Sequence, residues 1–264
     1  MTQPAISIQG LRYIYEQQDK VALDRIDLCV QQGEFVGIIG ENGAGKTTLL
    51  KNLVGLLRPT AGTILVNGLD ASQLAVSELS THIGFVLQNP DQQLFAQTVE
   101  QEIAFGPQNL KLDEQEVETR VEEAIALTGL EAFRTEFPPA LSKGDRAKVV
   151  IASVLAMQPE IVILDEPTTG QDYKGCHQIM QIAHQLHQEG RTLLVVTHDM
   201  GSAFRIADRM AMLYRGELIA LGTPDEIRNS DDPRVKQFID GLADGPIPLR
   251  QSSKDYAKDL LGEL

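Results

Sequence analysis

Apolar residues recur along this chain in two alternating rhythms. Three short runs are apolar at almost every position: Phe35-Val36-Gly37-Ile38-Ile39, Ile161-Val162-Ile163-Leu164, and Thr192 to Val196. Runs of that length predict strands buried on both faces, as in a parallel sheet covered by helices. Ile83-Gly84-Phe85-Val86-Leu87 reads the same way. Ile6-Ser7-Ile8 and Ile26-Asp27-Leu28-Cys29-Val30 alternate instead, as strands with one wet face do. Elsewhere the period is helical. Leu49, Leu50, Leu53 and Leu57 line one side of a helix predicted over 47–57. Val117, Val121 and Ile125 recur between Asp113, a suitable N-cap, and Gly129. A helix is expected between Ser142 and Pro159, and another carries the stripe Cys176, Ile179, Met180, Ala183 and Leu186 up to Gly190.

Strands and helices alternate at both ends of the chain, with a helical insert between. This order predicts an α/β fold with a parallel-sheet core over 1–88 and 161–228. A helical subdomain would span 89–160, and a C-terminal helix and tail 229–264. At the end of the first buried run, Gly40-Glu41-Asn42-Gly43-Ala44-Gly45-Lys46-Thr47 fits G-x-x-x-x-G-K-[ST] in full. Strand before and helix after make it a phosphate loop, and with it the core resembles the P-loop NTPase (RecA-like) fold. Its glycines let successive N–H groups turn toward phosphate, at the positive end of the new helix. Lys46 is expected to reach the β- and γ-phosphates and Thr47 to hold Mg²⁺.

Asp165 and Glu166 end the next buried run. A carboxylate there can bind the metal, and that role goes to Asp165. Glu166 is expected to point elsewhere, because strand side chains alternate, and to orient or deprotonate the attacking water. His198 follows the run after that. Gln88 follows Ile83–Leu87, where its amide can bridge Mg²⁺ and the water.

These residues stand in the order of a known family. Tyr15, the phosphate loop with Thr48, Gln88, Leu141-Ser142-Lys143-Gly144-Asp145, Ile163-Leu164-Asp165-Glu166, Gly170-Gln171-Asp172 and His198 together resemble the ATPase subunits of ATP-binding-cassette transporters over residues 5 to about 225. The resemblance implies an antiparallel β edge, ATP and Mg²⁺ as cofactors, and ATP hydrolysis coupled to transport. It implies a second cassette subunit, identical or different, and a transmembrane permease or coupling subunit near Gln88. Tyr15 would stack on adenine. Ser142, Lys143, Gly144 and Asp145 would form the signature that touches nucleotide held by the opposite subunit, and Asp172 would lie at the dimer seam. The family's signature is Leu-Ser-Gly-Gly-Gln. Here Lys143 and Asp145 depart from it, and Asp145 either opposes phosphate or caps the following helix. Gln171 stands where leucine is common.

Two subfamilies are in view. Gln88-Asn89-Pro90-Asp91-Gln92-Gln93-Leu94-Phe95, with Thr98-Val99-Glu100 and Ala104-Phe105-Gly106-Pro107, resembles the energy-coupling-factor ATPases of metal-ion and vitamin uptake. The end of the chain, from Asp232-Pro233-Arg234 through Gly245-Pro246 to Asp255-Tyr256 and Asp259-Leu260-Leu261, resembles the Mla phospholipid-transport ATPase. In those ATPases the tail wraps the opposite subunit. Val235, Phe238, Ile239 and Leu242 form the apolar side of an amphipathic helix there, and the chain beyond Gly245-Pro246-Ile247-Pro248 is too short to build its own core.

Composition narrows the alternatives. A formal charge of −14 opposes binding to a phosphate backbone, so a soluble cassette acting on ribosomes or DNA is disfavoured and no nucleic-acid partner is expected. A nucleotide-gated interaction module with little turnover remains the other competing class. No apolar stretch approaches the roughly 20 residues of a membrane span, and no secretory signal is visible. Two cysteines far apart, Cys29 and Cys176, fit a reducing compartment. The expected location is peripheral, on the cytoplasmic face of the cell membrane.

Overall fold

A computed structural model describes residues 3–16, 20–242 and 244–248. Two sheets carry the strands. The first is antiparallel, in the order β2-β1-β4-β5, with β1 Ile6–Tyr15, β2 Lys20–Val30, β4 Ala61–Val66 and β5 Leu69–Asp70. The second has six strands in the order β10-β9-β3-β8-β7-β6. These are β3 Phe35–Ile39, β6 Ile83–Val86, β7 Ile161–Asp165, β8 Thr192–Val196, β9 Arg209–Tyr214 and β10 Glu217–Gly222. All of its pairings are parallel except that of β10 with β9. Every residue of β3, β7 and β8 is buried, as their unbroken apolar runs require.

The helices are α1 Lys46–Leu53, α2 Val76–His82, α3 Val99–Asn109, α4 Glu114–Thr128, α5 Lys143–Leu155, α6 Tyr173–Gln188, α7 Met200–Ile206, α8 Pro224–Arg228 and α9 Pro233–Asp240. One face of the central sheet packs on α1 and the antiparallel sheet, the other on α5, α6 and the C-terminal helices. Between 89 and 160 only helices and turns occur, and α3, α4 and α5 share a third core around Val99, Ile103, Val121 and Val149. Asp113 caps α4 through a bond from Glu116 N, and Gly129 ends it in the left-handed region.

Two expectations need correction. The helix foreseen over 47–57 stops at Leu53. Gly55 turns left-handed (φ +74°), and the Leu57 amide loops back to the Lys51 carbonyl at 3.0 Å, which closes the helix end. The helix expected to carry Val235, Phe238, Ile239 and Leu242 ends at Asp240, because Gly241 turns left-handed (φ +63°). Gln237 is buried, and its side chain takes the Ile247 amide (2.7 Å) and donates to the Ile247 carbonyl (2.9 Å). Ile247, 3 % exposed, joins Tyr214, Ile227 and Val235 in the chain's own core. Leu242 lies beyond α9 and is exposed. Asp255, Tyr256, Asp259, Leu260 and Leu261, on which the resemblance to a wrapping tail also rests, lie outside the described residues.

Candidate functional site

Four neighbouring strands, β3, β8, β7 and β6, each end in a residue singled out from the sequence. The phosphate loop leaves β3, His198 follows β8, Asp165 ends β7 with Glu166 next, and Gln88 follows β6. Parallel strands present their C-terminal ends on one side of the sheet, where such folds bind ligands. A cleft of about 860 Å³ opens there, lined by Tyr15, Gly43, Lys46, Thr47, Thr48, Gln88, Glu166 and His198 among others.

The loop is shaped by what surrounds it. At Gly40 (φ +141°) a Cβ would stand 2.1 Å from the Leu213 carbonyl oxygen, and at Gly45 (φ +108°) 2.7 Å from that of Ala22. Only glycine fits either place. The Gly216 amide donates to the Ala44 carbonyl at 2.9 Å, so the β9–β10 turn braces the loop from behind. Lys46 is buried. Its ammonium donates to the carbonyls of Gly40 (2.9 Å) and Glu41 (3.0 Å) and lies 3.6 Å from Glu166. Burial pushes its pKa down, with Glu166 working against the shift. Asn42 is exposed at the loop's tip, and Glu41 is half-buried.

Glu166 is the hub. Its Oε2 accepts from Gln88 Nε2 at 2.6 Å and from Thr169 Oγ1 at 3.2 Å, and its Oε1 from His198 Nε2 at 2.8 Å. A carboxylate only accepts, so the His198 proton sits on Nε2 in this contact. Strand alternation is not what turns Glu166 away from Asp165, contrary to expectation. Glu166 has left the strand for the left-handed region (φ +49°), and its amide bonds the Val196 carbonyl at 2.9 Å. A non-glycine residue held there stores backbone strain, a frequent feature of functional sites. Thr169 was missed in the sequence. Its signal was the spacing of three from Glu166 across Pro167-Thr168.

Asp165 is 1 % exposed. Burial raises its pKa, while a hydrogen bond from the Thr47 side chain works against the rise. Its Oδ1 has no hydrogen-bond partner. Tyr15 is partly exposed at the cleft edge, and its hydroxyl pairs with Thr48 Oγ1 at 3.1 Å.

The signature lies elsewhere on the surface. Ser142 caps α5, accepting from Asp145 N at 3.2 Å. Asp145 is therefore not the cap; it sits in the first turn, where a carboxylate suits the helix dipole. The Lys143 ammonium lies against Gly170, and Gln171 Nε2 donates to the Lys143 carbonyl at 3.3 Å. A Cβ on Gly144 would stand 3.1 Å from Gln171 Oε1. Asp172 caps α6 through Gly175 N (2.7 Å), and its exposed neighbour Tyr173 stacks on His177.

Known proteins resemble this chain in sequence and in fold. The family model described as ABC transporter matches residues 23–169. The energy-coupling factor transporter ATP-binding protein EcfA of Methanocaldococcus jannaschii is 41% identical over 249 residues, covering 87% of this chain and 89% of that protein. EcfA2 of Clostridium tetani is 39% identical over 236 residues, 86% of this chain and 82% of that one. Among solved structures, cbiO1 of Clostridium perfringens, described as part of the ABC transporter complex cbiONQ, superposes with a TM-score of 0.79 at 35% identity, covering 91% of this chain and 95% of that one. An ATP-binding cassette solved as a dimer with ADP and Pi gives a TM-score of 0.75 at 29% identity, over 83% of this chain and 98% of that one. With a complete phosphate loop, a buried acid beside it and a second carboxylate held over the cleft, the chain belongs to the ABC transporter family as an ATP-binding subunit that hydrolyses ATP.

Proposed function

We propose that this chain is the ATPase motor of an energy-coupling-factor type uptake transporter and that Glu166 activates the attacking water. The observation that carries the catalytic assignment is the four-way hold on its carboxylate by Gln88, His198, Thr169 and Lys46 beside the phosphate loop. Loop amides from Gly40 to Thr48 and the Lys46 ammonium receive the phosphates, Tyr15 carries the adenine, and Glu166 takes a proton from water with His198 fixing its orientation. Magnesium belongs to the same reading. A buried Asp165 oxygen without a partner, beside the Thr47 hydroxyl, fits a hard divalent cation. Thr47, Asp165 and the Gln88 carbonyl oxygen would hold the ion, which when bound neutralises charge on the β- and γ-phosphates.

The partners follow from two surfaces. Ser142 to Asp145 and Asp172 close on nucleotide held by an opposing cassette, as the dimeric relative suggests. An apolar groove of about 300 Å³, lined by Phe85 and Gln93 on either side of the Gln88 turn, holds Leu56, Val76, Phe95 and Phe105, the last pair in edge contact. Buried Glu102 accepts the amides of Phe95 and Ala96 and so presents that loop. This groove suits an amphipathic helix of a membrane subunit. No helix among the described residues is long and apolar enough to cross a membrane, so a peripheral position through that subunit fits. The division into a core (1–88, 161–228), a helical part (89–160) and a C-terminal part (229–264) belongs to the same proposal.

Glu166→Gln is expected to lower ATP turnover by roughly 10²–10⁴-fold while ATP still binds. Ordinary turnover in that variant would remove Glu166 from its role. Recovery of the chain from membranes with a small-substrate-binding protein and a helical coupling subunit supports the uptake reading. Recovery with a permease and lipid-carrying components overturns it.

A further inference from the structure

Two hairpins in this chain close on the same kind of turn. Asn67-Gly68 joins β4 to β5 and Arg215-Gly216 joins β9 to β10, with Val66 facing Leu69 and Tyr214 facing Glu217 across the ends. All four central residues lie at positive φ, +48° and +77° in the first turn, +49° and +84° in the second. Two-residue turns of this shape match the twist of the strands and favour asparagine, aspartate or glycine at their first position. Asn67 follows that preference and Arg215 does not. A long side chain held there strains the backbone, and such strain persists mostly where it serves a function.

Arg215 stands on the nucleotide cleft. With Gly216 it lines the same wall as Lys20, Val21 and Ala22 of β2. The turn is fixed in place. The Gly216 amide donates to the Ala44 carbonyl at 2.9 Å, and the Gly216 carbonyl accepts from the Asp24 amide at 2.8 Å. Other arginines of the region are committed to acids: Arg12 to Asp24, Arg209 to Glu34 and Arg234 to Asp232. Arg215 meets no carboxylate within ion-pair distance among the described residues. Its guanidinium rests over the Tyr214 ring, 5.2 Å from the centroid, exposed at the cleft's rim.

Strand order decides which end of a nucleotide it meets. The sheet runs β10-β9-β3-β8-β7-β6, the phosphate loop leaves β3, and His198, Glu166 and Gln88 follow the three strands on one side of it. Arg215 follows β9, on the other side, and is tied to β2, where Lys20 pairs in register with Tyr15. We infer that Arg215 is a nucleotide-binding residue that grips the nucleoside end of ATP, its guanidinium donating to ribose or base acceptors. The inference rests on the proposed reading of the cleft, with Tyr15 on the adenine and Glu166 at the γ-phosphate.

The test titrates the full chain with ADP and with a non-hydrolysable ATP analogue, each with Mg²⁺, by calorimetry. Arg215→Ala is expected to weaken both by about fivefold to tenfold, because both ligands share the nucleoside end. Arg215→Asn is the sharper variant. It gives the turn the residue its backbone prefers, so its urea midpoint should rise above the parent's while its nucleotide affinity falls as in Arg215→Ala. Parent-like affinity in Arg215→Asn overturns the inference. So does a loss confined to the ATP analogue, which would put the guanidinium at the γ-phosphate, and so does affinity lost together with stability, which would mark a structural role. A parent chain that binds neither ligand brings down the proposed function as well. A parent that binds both, matched by its variants, brings down this inference alone.

Discussion

The phosphate loop and the signature turn both open a helix and both are read as facing phosphate, yet they are made of different material. The loop is a backbone device. Gly40 and Gly45 have carbonyls where side chains would go, and the β9–β10 turn bonds Ala44 from behind. The signature is a side-chain device, in which Ser142, Asp145 and Lys148 decide what the helix end offers. A site made of backbone tolerates little change, whereas a site made of side chains is retuned by one substitution.

Gly40→Ala strikes the comparison hardest. A Cβ 2.1 Å from the Leu213 carbonyl is expected to cost about 3–5 kcal/mol of stability and to abolish nucleotide binding, as urea unfolding and ATP titration would read. Gly144→Ala meets only side chains, Gln171 at 3.1 Å and Ser142 at 3.9 Å, and should cost less than about 1 kcal/mol. Equal costs for the two would dissolve the distinction.

Gln237→Leu extends it to a third place, where a side chain replaces strand pairing. Losing both bonds to Ile247 leaves a buried amide and a buried carbonyl unsatisfied, a cost of about 2 kcal/mol. Urea unfolding and protease cleavage near residue 245 would show it, and an unchanged midpoint would make the anchor ornamental.

Asp165→Asn gives the smallest effect and the finest resolution. Burial raises the Asp165 pKa, so the folded chain holds that proton more tightly than the unfolded chain. Its contribution favours folding in acid and fades as pH rises from about 4 upward. In EDTA, the melting temperature of the parent relative to Asp165→Asn should therefore fall with rising pH. Excess Mg²⁺ with ATP should reverse that trend, and a flat difference in EDTA would mean the buried charge is compensated elsewhere.

Legibility in the sequence followed the same division. β3, β7 and β8 were readable because strands buried on both faces admit only apolar residues, and the loop was readable because its glycines have no substitutes. Burial of a polar group left no such trace. Gln237 looks like any solvent-facing position of α9, although it holds Ile247 in the core. The left-handed turn at Glu166 has no glycine or asparagine to announce it, and so its direction was misjudged. The end of α1 was misread because Leu57 continues the apolar stripe while Gly55 has already broken the helix.

One detail of the strand order bears on timing. The loop, His198 and Asp165 hang from strands with neighbours on both sides, but Gln88 hangs from β6, paired only with β7 among the described strands. It also lies just before the turn that begins the helical stretch at Pro90. A displacement of that stretch would therefore reach the 2.6 Å contact between Gln88 and Glu166 before anything deeper in the sheet. Under the proposed roles it would act as a clutch at the edge, releasing Glu166 while the grip on phosphate holds.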